Sequence, residues 1–190
     1  YIHNIYFYTY DYHAFAQNLS GVSKREKLRY RWYGDSMTPQ PGRLELKRRC
    51  NLKGWKEILY VEVAPYSDGD SWREINKKIL AQTSFRERIW LHIHPFPVLI
   101  NTYQRQYYIS ENGKIRLTID TKFQVWDQRF KSKPNFTHQS HVAKTAVVEV
   151  KCDHRDGELA SKVLDSLPSR VGRHSKYMTG LKSFQTYLRG

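Results

Sequence analysis

The sequence predicts an α+β fold in which an antiparallel β barrel carries flanking helices. Several segments alternate between apolar and charged residues, and a period of two is the period of a strand. Aromatic residues make up 14% of the chain, including 14 Tyr and 5 Trp, and such side chains favour the pleated surface of a sheet. Between and after these segments, stretches that begin with capping residues predict helices.

The most regular strand covers residues 26–33. Lys27, Arg29 and Arg31 share one of its faces, and apolar or aromatic residues share the other. Neighbouring like charges repel each other, so this face requires either a compensating anion or open solvent. For one strand taken alone, an open and solvated edge is the ordinary interpretation.

The remaining elements follow from alternation and from turn or cap residues. Strands are predicted over residues 2–9, 42–51, 55–63, 97–109, 114–120 and 146–153, and residues 122–127 could continue the fifth of these. Helices are predicted over 11–19, 72–82, 157–167 and 175–188. Asp70 or Ser71 can cap the second of these helices, and Pro168 ends the third. Glu111-Asn112-Gly113 is a hairpin turn signal, and residues 34–42, 65–71 and 128–142 read as loops.

Three further strands repeat the design of residues 26–33, with aliphatic residues on one face and charges on the other. Their charged pairs are Glu45 with Lys47, Lys114 with Arg116, and Glu149 with Lys151. In a closed antiparallel barrel the apolar faces would point outward under helices, and the charged faces would line the lumen. Such charge in a low-dielectric lumen requires a counter-charge, and phosphate suits guanidinium and ammonium groups. The carboxylates would tolerate phosphate if a divalent cation bridged them.

The composition narrows the class of partner. The chain has 190 residues, enough for one substantial core, and a formal net charge of +14, which favours polyanions: nucleic acid, an anionic membrane or phosphate-rich small molecules. No apolar run is long enough to span a bilayer, and no signal-peptide pattern is present. Cys50 and Cys152 lack metal-ligand spacing, which indicates a reducing compartment and a cytoplasmic location.

A resemblance points to the same chemistry. Seven motifs resemble, in order, the polyphosphate polymerase (VTC) domain of the triphosphate tunnel metalloenzymes: IHNIYF, GVSKREKLRYRWYGD, LELKRR, INTYQRQYY, GKIRLTID, VVEVK and SKYMTGL. The likeness runs over nearly the whole chain, so we expect residues 1–190 to form one VTC-type domain. It implies an antiparallel tunnel barrel that binds a tri- or polyphosphate with Mn²⁺ or Mg²⁺. It also implies transfer of the ATP γ-phosphate onto a growing polyphosphate.

By position, the resemblance implies roles for individual residues. Catalytic contacts with the phosphates would come from Arg29, Arg31, Lys47, Arg105 and Arg116. Further phosphate ligands would be Lys56, Ser175 and Lys176. Glu149 would hold the metal ion, and Glu45 would orient a lysine or assist the metal.

The chain also departs from the family pattern. The family has a strand and a helix before the IYF segment, with a basic residue on the tunnel wall, and this sequence lacks them. Tyr8 and Tyr10 stand where an acidic residue and a proline are usual. A barrel without that wall strand would be open on one side.

Three functions remain open from the sequence: an ATP-dependent polymerase, a hydrolase of tripolyphosphate or nucleoside triphosphate with the same fold, and a non-catalytic polyphosphate binder. A dedicated nucleic-acid module is disfavoured, because the basic residues alternate with strand period instead of clustering on a helix or loop. No P-loop or kinase-type glycine-rich loop is present. His92 and His94 could ligate a metal from a strand, but the adjacent prolines favour a loop or a strand end.

Overall fold

The computed structural model describes residues 1–9, 24–51, 53–168, 171–172 and 174–185. The helix predicted over 11–19 lies outside these residues. Eight strands are described: β1 (Ile2–Tyr8), β2 (Lys24–Tyr33), β3 (Gly42–Cys50), β4 (Lys53–Val61), β5 (Phe96–Ile109), β6 (Ile115–Asp127), β7 (Gln139–Ser140) and β8 (Val147–Cys152). Four α-helices are described: α1 (Trp72–Leu80), α2 (Phe85–Ile93), α3 (Gly157–Asp165) and α4 (Lys176–Gln185).

The α+β class and the antiparallel sheet with flanking helices are confirmed. The helix predicted from the Asp70-Ser71 cap begins directly after Ser71, whose side chain forms a reciprocal capping box with Glu74. Two assignments were wrong. The segment read as a loop around His92 and His94 contains α2, and the predicted loop over residues 128–142 includes the short strand β7. His94 ends α2 as a buried cap, with Nδ1 3.0 Å from the carbonyl oxygen of Trp90.

All strands pair antiparallel in the order β4-β3-β2-β1-β5-β6, and the far edge of β6 pairs with both β7 and β8. The predicted hairpin joins β5 to β6, and Gly113 adopts a φ of 70° at its turn. Among the described strands, β4 and β8 are not hydrogen-bonded to each other. The sheet is therefore open rather than a closed ring.

One face of the sheet holds the main hydrophobic core. Residues of β1, β2, β3 and β5 pack there against α1 and α2, around the fully buried side chains of Trp32, Leu44, Ile75 and Ile100. These are the apolar positions of the alternating strands. We call this the convex face, because the helices cover it from outside.

The opposite face curves inward. Lys47 on β3 interacts electrostatically with Glu149 and Lys151 on β8, although five strand-to-strand steps separate β3 from β8 along the sheet. In a flat sheet that distance would be about 24 Å, at about 4.8 Å per step. The sheet is therefore bent, and this inner face is its concave face.

Helix α4 packs on one end of the concave face. Tyr177, Leu181 and Phe184 contact a second apolar cluster that includes Tyr6 and Leu99. Gly180 permits this approach, because a Cβ at that position would lie 3.0 Å from side-chain atoms of Leu99 and Val125. The remainder of the concave face holds charged side chains together with polar ones such as Asn4 and Asn101. None of the described helices is long and apolar enough to cross a bilayer.

Candidate functional site

Strand register places basic residues beside one another on the concave face. Lys27, Lys47 and Lys56 occupy matching positions on β2, β3 and β4. Like charges directly opposite each other weaken a sheet. The row is therefore unfavourable unless an anion or solvent compensates it.

A buried carboxylate, Glu45, lies two residues before Lys47 on the same face of β3, opposite Arg29 on β2. Its Oε2 accepts a hydrogen bond from Nε of Arg29 over 2.7 Å and lies 2.5 Å from Nη2 of the same residue. Its Oε1 lies 2.8 Å from Nε of Arg43 and 3.9 Å from Nζ of Lys56, and neither contact has hydrogen-bond geometry. Burial alone would raise the pKa of Glu45, but the charges of Arg29 and Arg31 outweigh it and hold the pKa below its usual 4.5.

Arg31 is oriented by uncharged groups. Its Nε donates to Oδ1 of Asn4 over 2.8 Å, and its Nη2 donates to the hydroxyl of Tyr103 over 3.1 Å. Asn4 in turn donates to Asn101 over 2.8 Å. Among the described residues no carboxylate forms a direct salt bridge with this buried guanidinium, although its charge acts on nearby Glu45. A ligand can therefore add a direct ionic contact.

A second buried carboxylate, Asp120, joins β5, β6 and α4. Arg105 donates to it through Nε over 2.5 Å and through Nη2 over 2.7 Å. The Nζ of Lys176 lies 2.5 Å from Oδ2. Burial alone would raise the pKa of Asp120, but the hydrogen bonds from Arg105 and Lys176 hold it below its usual 3.8.

Glu149 differs from the two buried carboxylates. Its side chain is 45% exposed, 3.3 Å from Nζ of Lys151 and 4.0 Å from Nη2 of Arg105. Thr118 is its register partner on β6. Glu149 therefore keeps an accessible oxygen beside several cations.

The other residues singled out from the sequence have fewer contacts. Lys47 is exposed and forms no ion pair with the described residues, and partial desolvation and repulsion from Arg29 lower its pKa. Arg116, opposite Lys151 on β8, is also exposed and unpaired among the described side chains. The hydroxyl of Ser175 lies 3.4 Å from Nζ of Lys27 and accepts from the backbone N–H of Met178 over 3.4 Å.

Tyr6 lies at the centre of these charges. Burial would raise the pKa of its phenol, but Arg29 and Arg31 outweigh that effect and lower it from 10.0. Nη1 of Arg29 lies 3.4 Å from the phenol oxygen and donates to it.

The basic side chains that share this face form what we call the cationic cluster: Lys27, Arg29, Arg31, Arg43, Lys47, Lys56, Arg105, Arg116, Lys151 and Lys176. The cluster adjoins three carboxylates, Glu45, Asp120 and Glu149. Among the described side chains, these ten cations exceed the three adjoining carboxylates by seven charges. This arrangement can bind an extended polyanion, because guanidinium and ammonium groups donate to phosphate oxygens.

Two surface cavities lie apart from the cluster. One, of about 560 Å³, is lined by residues of β6 and of the segment after β7, including Gln124 and His141. The other, of about 530 Å³, lies between α1 and α2. We locate the site by charge instead of volume, because an open basic groove suits a hydrated polyanion better than a small apolar cavity does.

The metal-ligand capacity of the site is small. Within the described part of the chain, no group of three or more His, Cys, Asp or Glu side chains is placed to hold a metal ion. Glu45 and Asp120 are buried and pair closely with cations. Glu149 also contacts Lys151 and Arg105, at 3.3 and 4.0 Å, but it is the exposed carboxylate of the three. One carboxylate fits Mg²⁺ or Mn²⁺ when substrate phosphates and water supply the other ligands.

All nine predicted site residues lie on the concave face or at the start of α4. The sequence did not single out Asn4, Tyr6, Arg43, Tyr103 or Asp120 as site residues. Alternation placed Asp120 on the same face as Arg116. Its pairing with Arg105 depends on the register of β5 and β6, and its contact with Lys176 depends on the docking of α4.

The sequence profile of the VTC domain matches residues 1–185. No curated protein matches the chain significantly. The matched range includes every residue of the cationic cluster.

Proposed function

Because this chain belongs to the VTC domain family, which is associated with polyphosphate metabolism, we propose that it is a metal-dependent polyphosphate polymerase. It would transfer the γ-phosphate of ATP onto the end of a polyphosphate chain bound on the concave face. The main support is the excess of positive charge in the cationic cluster, gathered from six strands and one helix.

Phosphoryl transfer requires in-line alignment and neutralisation of oxygen charge more than covalent help from the protein. Arg29 and Arg31, each held in one orientation by hydrogen bonds, would bind the phosphates through their fixed donors. Lys47 and Lys56 would follow the chain of phosphates as mobile point charges. Ser175 would add a hydroxyl ligand beside Lys27.

The transferring phosphoryl group would lie near Arg105 and Lys176. Arg105 would neutralise charge that develops on the equatorial oxygens of this group, and Lys176, which shares Asp120 with Arg105, would do the same. Arg116 would contact the neighbouring phosphate. The acceptor would be the terminal oxygen of the polyphosphate, and the leaving group would be ADP.

Mn²⁺ or Mg²⁺ would be held by Glu149 together with phosphate oxygens and would supply additional neutralisation of charge. Among the described residues Glu149 is the one exposed carboxylate there, so the nucleotide phosphates would have to supply the other negative charges that hold a metal. Metal affinity of the protein without phosphate would therefore be low.

Incubation with ATP and Mn²⁺ tests the proposal. Long acid-labile polymer would support it. Orthophosphate without polymer would favour the hydrolase, and tight, salt-sensitive binding of tripolyphosphate without turnover would favour a non-catalytic binder. Absence of both binding and turnover would refute a polyphosphate function.

A pair of matched variants links the activity to the site. Lys47→Gln removes an exposed cation of the cluster that has no ion pair to lose, so folding should be unaffected. Lys77→Gln makes the same change on the exposed surface of α1. We expect weaker binding of tripolyphosphate in the first variant and unchanged binding in the second.

A further inference from the structure

We propose that Asp120 is a positioning residue that aligns Arg105 and Lys176 for phosphate by binding both cations at once. The inference rests on the proposed function, because it assigns those two cations to a phosphoryl group. Asp120 itself would not contact the substrate. Its carboxylate is only 2% exposed, and it would repel a phosphate.

The contacts of Asp120 leave donors free on both partners. Its two oxygens accept hydrogen bonds from Nε and Nη2 of Arg105. A guanidinium has five N–H donors and an ammonium has three. After these contacts, three donors of Arg105 and two of Lys176 remain for a ligand.

The aromatic ring of Tyr103 supports the same two cations. Nζ of Lys176 lies 4.7 Å from the ring centroid, and Cζ of Arg105 lies 5.4 Å from it. Two cations that repel each other are therefore held on one ring and one carboxylate. Without the carboxylate, repulsion would drive them apart, because the ring alone provides no fixed hydrogen bonds.

Asp120 also connects the sheet to α4, since Lys176 is the first residue of that helix. The apolar contacts of Tyr177 and Leu181 dock the helix, but they do not orient the Lys176 ammonium. A phosphate bound between Arg105 and Lys176 would supply a similar negative charge. Phosphate should therefore restore the order of the first turn of α4 when the carboxylate is removed.

The test compares Asp120→Asn with the wild-type chain and with Asp127→Asn, a control on the same strand whose carboxylate pairs with Arg129 outside the cluster. Tripolyphosphate affinity is measured by calorimetry, and turnover is measured with ATP and Mn²⁺. We expect Asp120→Asn to bind tripolyphosphate at least about fivefold more tightly. Fivefold is the factor for removing one negative charge about 4 Å away in water, and a buried site screens charge less than water does. We expect its turnover to fall by about 10²-fold, because the reacting groups lose alignment.

Hydrogen exchange gives a readout that does not depend on turnover. The backbone amides of Met178 and Thr179, which donate to Ser175 in the first turn of α4, should exchange faster in Asp120→Asn than in the wild type, and tripolyphosphate should restore their protection. Asp120→Glu, which keeps the charge, should retain more protection and more turnover than Asp120→Asn. The control Asp127→Asn should match the wild type in all three measurements.

A merely structural role would weaken both binding and turnover in Asp120→Asn, without restoration of α4 by tripolyphosphate, and that result would overturn the inference. Unchanged turnover and exchange would overturn it as well. If the wild-type chain binds tripolyphosphate without turnover, the polymerase proposal fails, and affinity and exchange still decide the role of Asp120. If the wild-type chain does not bind tripolyphosphate, both proposals fail.

Discussion

Glu45→Gln should destabilise the protein while leaving its shape nearly unchanged. Glu45 is fully buried and pairs with Arg29 and Arg43 at 2.5 to 2.8 Å, whereas Lys56 is 3.9 Å away and 41% exposed. Glutamine keeps the size of the side chain but removes its charge. Two partly buried guanidiniums then repel each other without a carboxylate between them.

The structure sets the size of the effect. Removing one partner from a buried ion pair costs about 3–5 kcal/mol, whereas exposed pairs are worth about 0–1 kcal/mol. Arg29 and Arg43 retain about a fifth of their exposure, so solvent relieves part of the repulsion. We expect a loss of about 3 kcal/mol in the free energy of unfolding, nearly all of it from the two arginine contacts.

Urea unfolding at neutral pH measures this loss, with Glu62→Gln as the control at an exposed position that has no ion pair with the described residues. Tripolyphosphate should recover part of the loss, because it supplies anionic charge to the same arginines. The difference should also depend on pH. The pKa of Glu45 is lower in the folded chain than its usual 4.5, so its contribution is complete above pH 4.5 and is lost as the pH falls through the folded value. The two stability curves should therefore converge in acid.

A Glu45→Gln protein as stable as the wild type at neutral pH would refute this reasoning. So would a destabilisation that persists unchanged in acid, because it would reflect packing instead of charge. Equal losses in Glu45→Gln and Glu62→Gln would show that burial of the carboxylate contributes nothing.

Three further predictions concern other parts of the molecule. Gly42→Ala should destabilise the protein by about 1–3 kcal/mol, because the added Cβ would lie 2.2 Å from the carbonyl oxygen of Arg31; urea unfolding with an unchanged midpoint would contradict this. Ile100→Ala should cost about 2–5 kcal/mol, since it opens a cavity in the fully buried core, and a loss below about 1 kcal/mol would indicate that the core is not closely packed there. Glu149→Ala should abolish metal-dependent turnover while tripolyphosphate binding measured by calorimetry remains; unchanged turnover would remove Glu149 from the mechanism.

Strands with strict alternation were predicted well from the sequence. In residues 26–33 and 114–120 the period of two separates apolar from charged side chains. Burial of the apolar side chains then decides which face of each strand points to the core. Helix α1 was also predictable, because Ser71 and Glu74 form a local capping box. Such signals need no information about distant residues.

Helix α2 was not predicted from the sequence. Its apolar residues face two ways: Trp90 and Leu91 are buried, whereas Phe85, Ile89 and Ile93 are exposed. The segment therefore shows no clean apolar stripe, and the prolines after it suggested a loop. Packing of Trp90 into the core, which depends on the sheet, stabilises this helix.

The sequence by itself determined the charge of the concave face, because alternation assigns each lysine or arginine to one side of its strand whatever the strand's neighbours are. Only the tertiary structure decided which cations meet: the pairing of Arg29 with Glu45 and of Arg105 with Asp120 depends on strand register, and the contact of Lys176 with Asp120 depends on where α4 docks. The physical reason is the range of the forces involved. Backbone geometry acts between neighbouring residues, so the spacing of residue types along the chain reveals it. A salt bridge instead requires two side chains within about 4 Å, and that proximity arises only after the sheet has folded and bent.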